Sequence, residues 1–169
     1  MISDEALMLE FQRGSRAAFE EIFARHRDAL HRFFRRRLTN AAQADDLTQE
    51  TFLAVLRGAA RYEPRALVRT YLYAIALKLV YGARRARGVM PLEGDVPSTS
   101  EPDHSLWVRQ ALARMEPEER EILMLREYEQ LSYAEIAELL RIPVNTVRSR
   151  LFRSRMALRS RLEPEVKNA

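Results

Sequence analysis

Apolar residues recur at three- and four-residue steps over most of the chain, and strict alternation of apolar and polar positions is sustained nowhere. Phe19, Ile22, Phe23, His26, Leu30, Phe33, Phe34 and Leu38 trace one stripe of a long amphipathic helix. A second helix is predicted from about Ala42 to Arg57, with Leu47, Phe52, Val55 and Leu56 as its core side. Val68, Leu72, Ile75, Ala76 and Leu79 form the stripe of a third. β-Branched residues are sparse. The pattern predicts an all-α protein.

The periodicity stops between Gly88 and Pro102. The run GVMPLEGDVPSTSEP holds three prolines, two glycines and several small polar residues, the composition of a flexible linker. Two small helical domains are therefore expected, residues 1–87 and 103–169, joined by 88–102. Each is large enough to bury a core of packed helices.

The second half is strongly punctuated. Pro117 suits the first turn of a helix, where its missing N–H costs nothing; Ile122, Leu123, Leu125 and Tyr128 follow it. Ser132-Tyr133-Ala134-Glu135 reads as a capping box, opening a short helix that carries Ile136, Leu139 and Leu140. Arg141-Ile142-Pro143 breaks that helix, and another begins around Val144 to Thr146 with Asn145 or Thr146 as its cap. Short helix, tight turn, longer helix is the helix-turn-helix arrangement. On a wheel of about 100° per residue, Val147, Leu151, Ser154 and Leu158 share the inward side. The opposite side carries Arg148, Ser149, Phe152, Arg153 and Met156, with Arg150, Arg155 and Arg159 on the flanks.

Charge sharpens this picture. The 169 residues have a net charge of +4, but it is unevenly spread. Residues 1–90 hold 16 Lys/Arg against 10 Asp/Glu, residues 105–140 hold 4 Arg against 8 Glu, and residues 141–161 hold 7 Arg and no acid. A solvated surface helix normally interleaves opposite charges for i,i+4 support; this one does not. An arginine can bond guanine bidentately, a serine adapts to either base, and an apolar side chain can touch a thymine methyl. Flanking arginines meet phosphates and fix register. The last helix is thus a candidate major-groove reader, beside the plainer reading of a solvated basic helix.

At this point the residues resemble a known family. LSYAEIAELLRIPVNTVRSRLFRSRMALR (Leu131–Arg159), preceded by MEPEEREILMLREYEQ, is similar to region 4 of extracytoplasmic-function sigma factors, and ADDLTQETFLAVL (Ala44–Leu56) is similar to region 2.2. The resemblance implies a promoter-reading subunit of RNA polymerase with no catalytic site of its own. It assigns Asp46, Gln49 and Glu50, which share one helix face, to the clamp helices of the polymerase β′ subunit. Thr146, Arg148, Ser149, Arg150, Phe152 and Arg153 go to the minus-35 promoter element, with region 4 also meeting the β flap. In the segment RTYLYAIALKLVYGARRAR (Arg69–Arg87), which corresponds to the helix that melts and reads the minus-10 element, Tyr71 stands for the family's tryptophan, Lys78 for its asparagine and Gly82 for an acid. Tyr71 can still stack on an unpaired base and Lys78 can meet a phosphate, while a bidentate base reader is lost. Arg84 and Arg85, with Arg87, keep the segment basic. The loop Arg61–Leu67 corresponds to the family's capture site for a flipped base, with Tyr62 as the candidate wall or, equally, a tyrosine packed across helix ends. Promoter DNA, core polymerase and an anti-sigma factor are the implied partners.

Other chemistry finds little purchase. There is no cysteine, which suits a reducing cytoplasm; no apolar run approaches the 20 or so residues of a membrane span, and Met1–Leu9 lacks a basic n-region. A cytoplasmic protein without membrane insertion is expected. His26 and His31 are wrongly spaced for one metal, the glycines never cluster into a phosphate loop, and no nucleophile elbow is visible. No cofactor, metal or small-molecule substrate is expected. Trp107, at helical spacing from Ala111 and Met115, reads as core or interdomain packing. Two rival readings stay open: a dimeric helix-turn-helix regulator, which would lack the Asp46-Gln49-Glu50 helix, and a sigma-like decoy that binds polymerase without opening promoters.

Overall fold

The computed structural model describes residues 1–86 and 103–163, and the expected linker and Arg87 lie outside them. The chain divides into two compact units, Met1–Gly88 and Val89–Ala169. Every regular element among the described residues is helical.

The first unit comprises α1 (Asp4–Gln12), α2 (Arg16–Arg37), α3 (Ala41–Gly58), a 3-10 turn at Ala59–Arg61 and α4 (Val68–Ala86). Side-chain caps start three of these helices: Ser3, Ser15 and Asn40 accept from the amides of Ala6, Ala18 and Ala42 respectively. Gly14, at φ +102°, makes the turn between α1 and α2, in backbone that a side chain would strain. Met8, Ile22, Leu30, Phe33, Phe34, Val55 and Leu72 are fully buried at the centre. Among the aromatic contacts of α2, Phe23 lies edge-on to Phe52 at 4.7 Å, Phe33 is tilted against Tyr73 at 5.3 Å and Phe19 against Phe11 of α1 at 5.1 Å. The Arg37 guanidinium lies 3.7 Å over the Phe33 ring and donates to the Phe33 carbonyl, so this buried cation closes the end of α2.

α1 was not foreseen from the periodicity, yet Leu7 and Met8 bury it against α2, and Asp4 pairs with both Arg25 (3.0 Å) and His26 (2.7 Å). Two stripes differ from expectation. Leu56 is 46% exposed, not core, and Leu47 is half-buried, because α3 is covered along Ala44, Thr48, Thr51, Phe52 and Val55 instead. On α4, Ile75 and Leu79 are half-buried while Tyr73, Leu77 and Val80 are buried. α1, α2 and α3 all pack on α4, so its buried sector is wider than one stripe and turned from the predicted one.

The second unit comprises α5 (Asp103–Ala113), α6 (Pro117–Glu127), α7 (Tyr133–Leu140) and α8 (Val144–Leu162). α8 packs on all three of the others. Ile122, Leu125, Leu131, Ile136, Val147 and Leu151 form the core. Trp107 is not part of it: the tryptophan is 52% exposed, since the α5 face is covered only from Ala111 onward. The capping box of α7 is complete, with Ser132 Oγ accepting from the Glu135 amide at 3.1 Å and Glu135 accepting from the Ser132 amide at 2.6 Å. Arg141 ends α7 in the left-handed region (φ 56°, ψ 47°), where glycine is the usual occupant. α8 then starts at Val144 behind Pro143, not behind Asn145 or Thr146, and no side chain caps it. Pro143 fixes the chain's entry angle in place of a cap.

Ser132→Ala removes one half of the capping box and is expected to lower unfolding stability by about 1 kcal/mol, read from urea denaturation of the full chain by circular dichroism. An unchanged midpoint would show that the box does not hold α7.

Candidate nucleic-acid interface

α8 owes its orientation to three buried positions, Val147, Leu151 and Ser154. The Ser154 hydroxyl, fully buried, is satisfied by donating to the Arg150 carbonyl at 2.7 Å. With that stripe inward, Arg148, Ser149, Phe152, Arg153 and Met156 are exposed, Phe152 to 67%. Thr146 and Arg150 flank them and are half-buried. Ser149 donates to the Asn145 carbonyl, and Arg148 reaches Asn145 Oδ1 at 3.5 Å, so both begin from the helix's first turns. Arg155, on the flank, is already engaged. It pairs with Glu127 at 3.1 Å, and hydrogen bonds to Tyr133 and Glu127 raise its pKa further. That bridge ties α8 to α6. The face as a whole is cationic with an apolar centre, the chemistry of groove reading.

In the first unit, Asp46 and Gln49 are exposed and Glu50 half-exposed on one face of α3. Asp45, beside them and also exposed, bonds to His31 of α2 at 2.7 Å. The same outward face continues into Leu53 (40% exposed) and Leu56 (46% exposed). Leu56 reads as core in the sequence because apolar residues at helical spacing usually belong there, and Leu53 stands out by no motif. Their three- and four-residue steps from Asp46, Gln49 and Glu50 were the available signal.

The segment after α3 and the helix α4 bring the remaining residues together. Tyr62 is 6% exposed, donates its hydroxyl to the Ala66 carbonyl, and meets the Tyr71 ring at 5.3 Å, edge to face. Its position is that of a packed tyrosine across helix ends, and its ring presents no open face. Tyr71 is half-buried, its hydroxyl lying against Gly58, where a Cβ would meet it at 3.0 Å. Burial pushes the Tyr71 phenol up from its ordinary value, with Arg61 opposing. Lys78 and Arg85 are exposed and follow Tyr71 at successive two-turn steps, which puts all three on one face of α4. Arg84 stands apart from them. It is half-buried and donates to the Arg37 carbonyl at 3.3 Å, linking the ends of α2 and α4. Tyr81, 41% exposed one turn beyond Lys78, adds an aromatic ring beside them.

Among the described residues no group of three or more His, Asp or Glu side chains could hold a metal, and no helix is long and apolar enough to cross a membrane.

Residues 22–89 match the family model for sigma-70 region 2, and residues 105–158 match that for sigma-70 region 4. The chain is 30% identical to the RNA polymerase sigma-H factor of Pseudomonas aeruginosa, over 98% of this chain and 97% of that protein. It is 34% identical to the ECF RNA polymerase sigma factor SigC of Mycobacterium tuberculosis, over 95% and 91%. In fold it resembles CnrH, solved in complex with the cytosolic domain of CnrY, with a TM-score of 0.75 at 24% identity over 93% of this chain and 95% of that one. It also resembles RpoE of Bartonella quintana, solved with the anti-sigma factor NepR, with a TM-score of 0.72 at 20% identity over 87% and 98%.

The wheel of α8 makes neighbouring residues behave oppositely. Leu151→Ala is expected to cost about 2–5 kcal/mol of stability, and Phe152→Ala less than about 0.5 kcal/mol, both by urea denaturation of the full chain. Comparable losses from the two would place Phe152 in the core and remove it from the interface.

Proposed function

We propose how this chain works from the premise that it belongs to the extracytoplasmic-function sigma factors of the sigma-70 family. It is an alternative sigma factor: it binds core RNA polymerase and directs promoter-specific transcription initiation in the cytoplasm. Nucleotide addition belongs to the polymerase, and this chain serves as its promoter-recognition subunit.

The observation that carries the reading is the outward face of α8, where Arg148, Ser149, Phe152 and Arg153 stand exposed opposite the buried Val147–Leu151 stripe. In this reading residues 103–169 set that face in the major groove of the minus-35 element. Arg148 and Ser149 meet base edges, Phe152 meets apolar groups in the groove, and Arg150, Arg153 and Thr146 hold phosphates. The same domain rests on the β flap.

Residues 1–87 dock on the β′ clamp helices through α3. Leu53 and Leu56 supply the apolar centre of the contact, while Asp46, Gln49 and Glu50 supply its polar edge, the usual anatomy of a protein interface. Tyr71, Lys78 and Arg85 then face the melted minus-10 strand, Tyr71 by stacking and the cations by charge. Arg84 supports this face from its bond to the α2 terminus, and Tyr62 shapes the adjoining loop from beneath. Residues 88–102 join the two domains and set the reach between the two elements. An anti-sigma factor is the partner proposed for the free protein, as NepR is for RpoE of Bartonella quintana.

The reading is tested by run-off transcription with core polymerase and DNA from upstream of the chain's own gene. Initiation is expected, with its loss in the Asp46→Ala/Gln49→Ala double variant and relaxed preference at one minus-35 base pair in Arg148→Ala, by about 1–3 kcal/mol. Core binding without initiation on a broad template library would favour a sigma-like decoy. Absence of core binding would leave a helix-turn-helix regulator.

A further inference from the structure

The segment between α3 and α4 is tied both within itself and from outside. Tyr62 donates its amide to Ala59 and its hydroxyl to Ala66, Ala66 donates to Glu63 at 3.3 Å, and Glu63, Pro64, Arg65 and Leu67 are exposed. Its two ends are held from elsewhere. Gln12, the last residue of α1, donates its side-chain amide to the carbonyls of Ala59 (2.6 Å) and Tyr62 (2.8 Å). Glu5, in the first turn of α1, accepts from the amide of Val68 at 3.0 Å, at the start of α4. Its carboxylate thus satisfies one of the otherwise unpaired first-turn amides and faces the positive end of the helix dipole.

Glu5 and Gln12 lie two turns apart, on one face of α1 and about 10 Å apart along its axis. α1 itself has little freedom to move. Leu7 and Met8 are buried, and Asp4 is held by Arg25 and His26, with Arg25 also donating to the Ile2 carbonyl at 2.7 Å. The match to sigma-70 region 2 begins at residue 22, so this strap lies outside it.

We infer that Glu5 and Gln12 are positioning residues: α1 straps both ends of the 59–68 segment and thereby fixes the geometry in which that segment selects a base of the melted minus-10 strand. Gln12 holds the entry beside Tyr62, Glu5 holds the exit at Val68, and the exposed residues between them are presented in one arrangement. The strap touches no nucleic acid. Its effect is on discrimination, and the functional half of the inference rests on the sigma-factor reading above.

Gln12→Glu is the sharpest variant, because it keeps the shape of the side chain but turns a donor into a carboxylate facing two carbonyls. Gln12→Lys restores a donor, and Glu5→Gln removes the charge at Val68. Two measurements separate the claims. Hydrogen exchange on the free full chain is expected to quicken over residues 59–68 in Gln12→Glu, on the order of fivefold per lost hydrogen bond, and by less in Glu5→Gln, whose amide oxygen still accepts from Val68 without the charge, with α2 and α3 unchanged and Gln12→Lys close to the parent. Transcription by the reconstituted holoenzyme, on templates varied base by base through the minus-10 element, is expected to show a similar loss of discrimination at one position, at unchanged affinity for core. Unchanged exchange in the 59–68 segment would overturn the strap. Quickened exchange with intact discrimination, or a uniform fall on every template, would overturn its role in selection. A parent chain that fails to initiate anywhere defeats the sigma-factor reading and the selection role with it, while the exchange result still decides the strap.

Discussion

Val147 and Leu151, both essentially without exposure, lock the rotation of α8 about its axis, and through that rotation decide which arginines leave the domain. A helix can commit one sector to a core, and the sector opposite is then open to a partner. The same constraint operates on α3, where burial of Ala44, Phe52 and Val55 sends Asp46, Gln49, Leu53 and Leu56 outward. It operates on α4 as well, where burial of Leu72, Tyr73 and Val80 leaves Lys78, Tyr81 and Arg85 exposed. The three proposed contact faces are by-products of where two cores sit.

Polar anchors then set how the helices meet. Asp4 joins α1 to α2 through Arg25 and His26, Asp45 joins α3 to α2 through His31, and Glu127 joins α6 to α8 through Arg155. Asp4 makes two such pairs and the others one each, all at partial exposure, so each pair contributes little stability by itself. Their value lies in orientation, and two of them, Asp45–His31 and Glu127–Arg155, engage a charge beside a proposed contact face. Arg155 is engaged while Arg153 is exposed; Asp45 is engaged while Asp46 is exposed.

Much of this was legible in the sequence where periodicity was unambiguous. The long helices, the capping box at Ser132 and Glu135, and the inward stripe of α8 follow from spacing and cap chemistry alone. What escaped was tertiary in origin. α1 is short, and its anchors Asp4, Glu5 and Gln12 bond to residues distant in the chain, which no local pattern reveals. Leu56 reads as core, and Trp107 as core or interdomain packing, because apolar side chains at helical spacing usually belong there; whether a neighbour covers them depends on packing. The wider buried sector of α4 has the same cause, three helices pressing on one. Tyr62 shows the limit for aromatic residues: its type suits stacking, while its burial is set by packing that no local pattern reveals.

The central claim is that the two outward faces meet two different partners, and photo-crosslinking tests it most directly. A photoreactive residue at position 53 or 152, in the full chain assembled with core polymerase on promoter DNA, should give separate products: position 53 linked to a polymerase subunit, position 152 to upstream duplex DNA. Position 152 linking to protein alone, or position 53 linking to DNA, would contradict the account.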